Sequence, residues 1–77
     1  MEDLLLVIAR ALVDKPDAVR VETDNTAQDG LIVYRLIVDD ADIGRVIGKQ
    51  GRIAKSIRQI VKSVAARKNL KVAVEIG

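Results

Sequence analysis

Two glycines and two cations make one short segment the part of this chain best suited to chemistry. The segment Ile47-Gly48-Lys49-Gln50-Gly51-Arg52 lies between two amphipathic stretches. A tight turn that opens a helix leaves backbone N–H groups without partners, and the helix dipole with adjacent cations favours an anion. The segment therefore predicts an anion site, and a phosphate is the anion that suits it best.

The spacing of the glycines argues against the common nucleotide-binding loops. A mononucleotide phosphate loop has four residues between its glycines, followed by Lys and by Ser or Thr for magnesium. Here three residues separate Gly44 from Gly48, and Gln50 follows Lys49. The dinucleotide fingerprint fails too, because Gly51 comes three residues after Gly48 and no strand leads directly into the glycines.

The residue types argue against catalysis. The chain has no His and no Cys, the usual general base and the best nucleophile. Ser56 and Ser63 have lysine neighbours but no recognisable base. The acids of Asp39-Asp40-Ala41-Asp42 could suggest a metal site, but one of them suffices to cap a helix and no other cluster of ligands lies nearby. We predict that the protein is not an enzyme and has no catalytic residue, metal or cofactor.

Length and hydropathy indicate one domain in the cytoplasm. Seventy-seven residues are near the lower size for an independent core, and without Cys no disulfide supports it. The start of the chain is acidic, and the apolar run from Leu4 to Ile8 is too short for a signal peptide. No segment approaches the roughly 20 apolar residues that span a bilayer, so we expect no membrane partner.

The two parts of the chain carry opposite charge. Residues 1–43 have four basic against ten acidic side chains, a net charge of −6, whereas residues 44–77 have nine basic side chains against Glu75 alone, a net charge of +8. Such asymmetry indicates a polyanionic partner for the second part. A solvated surface of mixed charge is the alternative from charge alone.

Hydrophobic periodicity predicts six elements in the order α-β-β-α-α-β. They are a helix over about Glu2–Val13, a strand over Val19–Asp24, a strand over Leu31–Val38, a short helix from Asp39–Asp42 to Gly48, a long helix over about Arg52–Arg67 and a strand over Leu70–Ile76. A turn over 25–30 connects the first two strands. A strand–helices–strand crossover normally returns parallel. The fold class is therefore α+β, a three-stranded mixed sheet with Leu31–Val38 at its centre and the helices packed on one face.

Side-chain patterns assign the faces of the helices. In the long helix one apolar sector contains Ile53, Ile57, Ile60, Val61 and Val64, and the opposite side contains Lys55, Arg58 and Lys62. In the first helix, Leu6 and Val7 fall outside the apolar stripe. This surplus indicates either fuller burial or a partner surface.

The segment Val46-Ile47-Gly48-Lys49-Gln50-Gly51-Arg52-Ile53 resembles the Ile-Gly-x-x-Gly loop of KH domains, which clamps about four nucleotides of single-stranded RNA or DNA. A helix and strand before the β-α-α-β core resemble the type II, bacterial form. The resemblance covers the chain and implies a single type II KH domain over 1–77, similar to the small bacterial RNA-binding proteins of the KhpA type. Ala54 departs from it, because many KH domains have a large aliphatic residue there, and a shallower groove follows.

The resemblance also implies which residues contact RNA. Backbone phosphates would lie on the Gly48–Gly51 turn, beside cationic and amide side chains, and bases would lie on an aliphatic floor. The predicted RNA-binding residues are Gly48, Lys49, Gln50, Gly51, Arg52, Arg45, Ile43, Val46, Ile47, Ile57 and Lys55. The outer basic face of the long helix is either a further contact or a solvated surface.

The shortage of aromatic residues limits how such a clamp can bind. Tyr34 is the only aromatic residue, so base stacking, worth about 1–3 kcal/mol per base, is largely missing. We expect weak, salt-dependent binding that gains from a second module. The resemblance implies a homodimer, or a heterodimer with a second KH-containing RNA-binding protein of the Jag (KhpB) type. The predicted function is single-stranded RNA binding, as an RNA chaperone or post-transcriptional regulator; the alternative is a KH-fold dimerisation module with little RNA affinity.

Overall fold

The computed structural model describes residues 1–24 and 30–76 and confirms the predicted element order. Of the predicted turn over 25–30, only Gly30 lies within the described residues. Short 3₁₀ turns cover Pro16–Ala18, Asp40–Asp42 and Lys49–Gly51. The helices are α1 (Glu2–Leu12), α2 (Ile43–Ile47) and α3 (Arg52–Arg67), and the strands are β1 (Arg20–Asp24), β2 (Leu31–Ile37) and β3 (Lys71–Ile76).

The sheet has the predicted mixed topology, with β2 between β1 and β3. β2 pairs antiparallel with β1 and parallel with β3, so Arg35 lies opposite both Glu22 and Glu75. Its guanidinium forms ion pairs of 3.6 Å with Glu22 and 3.2 Å with Glu75. Because side chains alternate along a strand, these charges lie on the face opposite the buried Tyr34 and Leu36. The helices cover the Tyr34 and Leu36 face.

The core lies between that face and the helices. Leu5 of α1 and Val61 of α3 pack with Tyr34 in one cluster, and Val46 of α2 packs with Leu36 in a second. Each helix therefore contributes at least one fully buried side chain, and α2 and α3 are held at fixed positions on either side of the glycine turn.

The buried face of α3 differs from the predicted one. The side chains that it buries are Ala54, Ile57, Val61 and Ala65, whereas Ile60 is 46% exposed. The prediction that Ile60 lies on the core face is therefore wrong. The buried face is centred on Ile57 and Val61 and ends in alanines, and Ile60, about 100° from Val61 around the helix, falls outside it. Hydropathy averages give small side chains too little weight to show this.

The two surplus apolar residues of α1 differ in burial. Leu6 packs against the cluster that contains Leu36 and Val46, so it is part of the core. Val7 is 68% exposed. At the other end of the chain, Leu70 is exposed rather than inward, because it lies in the turn after α3 and β3 begins only at Lys71.

Candidate nucleic-acid interface

Helix α2 is held at both ends by polar contacts. The Asp39 carboxylate accepts a hydrogen bond of 2.9 Å from the Ala41 N–H at the turn that precedes α2. This bond, with Lys15 3.6 Å away, lowers the pKa of Asp39 below its ordinary value. At the other end, the Gly48 N–H donates to the Gly44 carbonyl at 2.9 Å. The chain then leaves the helix with a φ of 75° at Gly48.

Gly48 is required by its surroundings as well as by its backbone. A Cβ added to it would lie 2.6 Å from Cγ1 of Ile53, closer than real Cβ contacts come. The positive φ would also strain any L side chain. The Gly48 backbone therefore packs directly against Ile53, and this contact fixes the turn against the start of α3.

The two residues before α3 reverse the chain with left-handed backbone angles. Gln50 has a φ of 57° and Gly51 a φ of 74°. Gly51 adopts this conformation without penalty, whereas for Gln50 it is uncommon. Non-glycine residues in this region concentrate at ligand-binding sites, where the surrounding structure maintains the strain. The Gln50 side chain is exposed.

The turn presents backbone donors. The Gly51 N–H bonds to the Gly48 carbonyl, but the amides of Lys49 and Gln50 donate to no acceptor within the part of the chain that the structure describes. The first turn of α3 follows directly, so its dipole adds positive potential. Two free amides beside the start of a 16-residue helix provide the geometry that an anion requires.

Cations surround these amides without acidic partners. Lys49, Arg52 and Lys55 are all exposed, and across residues 1–24 and 30–76 no carboxylate lies within 4 Å of their charged groups. Arg45 differs, because its guanidinium lies 2.8 Å from Asp14 and 3.5 Å from Asp42. The turn and the start of α3 thus carry the uncompensated charge, and Arg45 would have to share its charge with two acids.

The predicted aliphatic floor is only partly available. Ile43 and Ile47 of α2 are half-buried and keep some exposed surface. Val46 and Ile57 are 0% and 2% exposed, so the structure corrects the prediction that they contact bases. Both belong to the core because their helices turn these positions towards the sheet. Ala54 is also buried, so the departure at this position affects the packing of α3 rather than an open surface.

The sequence pattern did not indicate the roles of two residues near the turn. Asp42 is 2% exposed, and its carboxylate accepts the N–H groups of Asp14 at 3.2 Å and Lys15 at 3.0 Å. These bonds tie the end of α1 to the start of α2. Gly44 is an exposed residue inside α2. Its only sequence signal is a glycine in an otherwise helical pattern.

Comparisons with known proteins identify the family of this chain. The family described as KhpA/KhpB, KH domain matches residues 2–76. The chain is 49% identical over 76 residues to the RNA-binding protein KhpA of Clostridium perfringens, covering 99% of each chain. It is 46% identical to the RNA-binding proteins KhpA of Listeria monocytogenes and Chlamydia trachomatis, covering 99% of this chain and 97% and 95% of theirs.

The names of these relatives also bear on the prediction about catalysis. They are named as RNA-binding proteins of a KH family rather than as enzymes, which confirms the prediction that the chain is not an enzyme. In the described residues, no helix has the length and apolar character needed to cross a membrane.

Proposed function

Since this chain belongs to the KhpA/KhpB family of KH domains, we propose that it binds single-stranded RNA and clamps the RNA backbone with the Gly48–Gly51 turn. The names of its relatives support RNA as the partner. The observation that carries the clamp is the turn itself, where, among the described residues, two amides have no acceptor and the neighbouring cations have no acidic partner. Such a site matches a chain of phosphates better than a single small anion, because the cations continue along α3.

The clamp would work through three kinds of contact. One phosphate accepts the Lys49 and Gln50 amides, and the Lys49 and Arg52 side chains neutralise it and its neighbour. The half-buried faces of Ile43 and Ile47 contact a base next to the turn. The contact between Gly48 and Ile53 keeps the turn in shape. The contacts are few, so affinity is modest, as expected of a chaperone or regulator that releases its RNA readily.

The direct test replaces Lys49 and Gln50 by aspartates in one variant. Two acids next to the free amides repel phosphate, so we expect binding of a short pyrimidine-rich RNA to be lost in a fluorescence-anisotropy titration. Both side chains are exposed, so circular dichroism and the melting temperature should remain near those of the unchanged protein.

A matched control makes the same change of charge at the opposite end of α3. Lys68→Asp with Asn69→Asp replaces a lysine and an amide about 24 Å from the turn, well beyond the screening length of about 8 Å. This control should lose little affinity. Unchanged RNA binding in the Lys49→Asp/Gln50→Asp variant, or equal losses in both variants, would contradict the clamp.

A self-associated form is the second part of the proposal, and α3 provides the observation that favours it. Ile60 and the half-buried Val64 line a shallow groove on the outer side of α3, together with Gln59, Ser63 and Arg67. Val7, in contrast, has the exposed charges of Asp3 and Arg10 one turn away on either side. A contiguous apolar surface suits a protein partner better than an isolated valine does. We assign association, with a second copy or with a second KH-containing protein of the KhpB type, to the α3 groove.

Light scattering after size-exclusion chromatography tests this assignment. The unchanged protein should elute with twice the chain mass, Ile60→Glu should give the monomer, and Val7→Glu should remain dimeric. A monomer at every concentration would contradict self-association. The heterodimer would then be tested by co-elution with a KhpB-type protein, with and without Ile60→Glu.

A further inference from the structure

Gly44 is the described glycine that the fold does not need. Gly30, Gly48 and Gly51 all have positive φ values, which explains glycine at each of them. Gly44 instead lies inside α2 with an ordinary helical backbone. A Cβ added there would meet no atom within 4 Å in the described structure. Alanine would fit this position and would favour the helix more than glycine does.

Gly44 lies next to the proposed clamp, and its backbone there is covered by no side chain of its own. Gly44 precedes Gly48 by four residues, and the Gly44 carbonyl accepts the Gly48 N–H at 2.9 Å. The two glycines are thus neighbours on one side of α2, about 6 Å apart along the helix axis. Ile47, three residues after Gly44, borders the same surface and keeps part of its side chain exposed. The bare helix surface is therefore continuous with the turn and with the aliphatic contact.

We infer that Gly44 is a contact residue for RNA, the point at which a nucleotide next to the clamped phosphate lies directly against the α2 backbone. A glycine that weakens its own helix and fills no tight space is explained when a ligand needs the room that a Cβ would occupy. A base or a ribose can approach the Gly44 backbone at van der Waals distance, and the Ile47 side chain would lie beside the nucleotide. This inference rests on the proposed RNA-binding function.

The test uses a series of side-chain sizes at position 44. Gly44→Ala and Gly44→Leu both introduce good helix formers into open space, so each should raise the melting temperature by about 2–6 °C. RNA affinity should fall at least tenfold for Gly44→Ala and further for Gly44→Leu, measured by anisotropy with the same pyrimidine-rich RNA. Opposite changes in stability and binding are a result that a purely structural glycine cannot produce.

Two controls separate this inference from the function on which it rests. Ala66→Gly, at an exposed position of α3, should lower the melting temperature without changing affinity. If the unchanged protein binds RNA and Lys49→Asp/Gln50→Asp does not, yet both Gly44 variants bind as tightly as the unchanged protein, the role of Gly44 is overturned and the clamp stands. If the unchanged protein binds no RNA, the proposed function itself fails.

Discussion

At the scale of single residues, Asp42 connects the N-terminal helix to the clamp. Its buried carboxylate accepts two backbone N–H groups at the end of α1 and lies 3.5 Å from the Arg45 guanidinium. A buried carboxylate is tolerated only when it is hydrogen-bonded in this way. The residue that looked like one of several helix caps is therefore a tether between two elements, and the capping is done by Asp39.

We predict that Asp42→Ala lowers the free energy of unfolding by about 1–3 kcal/mol, since it leaves two part-buried N–H groups without their charged acceptor. Asp40→Ala is the matched control, because Asp40 is exposed in the same 3₁₀ turn and should cost less than about 0.5 kcal/mol. Urea denaturation followed by circular dichroism measures both. Equal losses of stability in the two variants would show that the hydrogen bonds of Asp42 contribute nothing beyond the negative charge that both carboxylates place in the 3₁₀ turn.

At the scale of elements, α3 ends in a left-handed cap. Asn69 has a φ of 57°, its N–H bonds to the Ala66 carbonyl at 3.2 Å, and the Leu70 N–H bonds to the Ala65 carbonyl at 2.9 Å. These are the two hydrogen bonds of the Schellman motif, in which asparagine is the usual substitute for glycine. The cap sets the direction of the chain into β3.

Replacement of Asn69 by Ala should therefore destabilise the protein by about 1 kcal/mol, because alanine tolerates the left-handed region poorly. Asn69→Gly should keep or raise stability, since glycine adopts this conformation freely. Lys68→Ala, at the neighbouring residue with a φ of −100°, provides the control and should be close to neutral. A higher melting temperature for Asn69→Ala than for Asn69→Gly would contradict the left-handed cap.

The sequence allowed the elements to be predicted because their signals are local. The bounds of α3 follow from Gly51 before it and Asn69 after it, and the central position of β2 follows from its nearly continuous apolar run. Burial within the elements depends on partners distant in the sequence. Asp42 bonds to residues 27 and 28 positions earlier, and nothing in its neighbourhood distinguishes it from Asp40. For the same reason the pattern could identify Val46 and Ile57 as apolar but not as inaccessible.

At the scale of the whole molecule, charge is divided between the elements. Every charged side chain of α3 is basic, and all five of them are exposed. The acidic residues are concentrated in the part of the chain before Gly44. Arg35 and Arg45 form ion pairs with acidic side chains, so their charge is largely neutralised within the fold. The field around the turn therefore comes from Lys49 and from α3 with its N-terminus, and it extends along the helix beyond the turn.

This distribution predicts a defined salt dependence for RNA binding. Single-stranded nucleic acid loses about 0.7 units of log affinity per unit of log salt for each phosphate neutralised. If Lys49, Arg52 and Lys55 neutralise two or three phosphates, the slope is about −1.4 to −2.1, and affinity falls roughly tenfold between 50 and 200 mM salt. Lys49→Gln should make the slope shallower by about 0.7, because it removes one phosphate contact, whereas Lys68→Gln at the other end of α3 should leave it unchanged. A flat response in the unchanged protein, or one slope for both variants, would mean that phosphates at the turn do not provide the affinity.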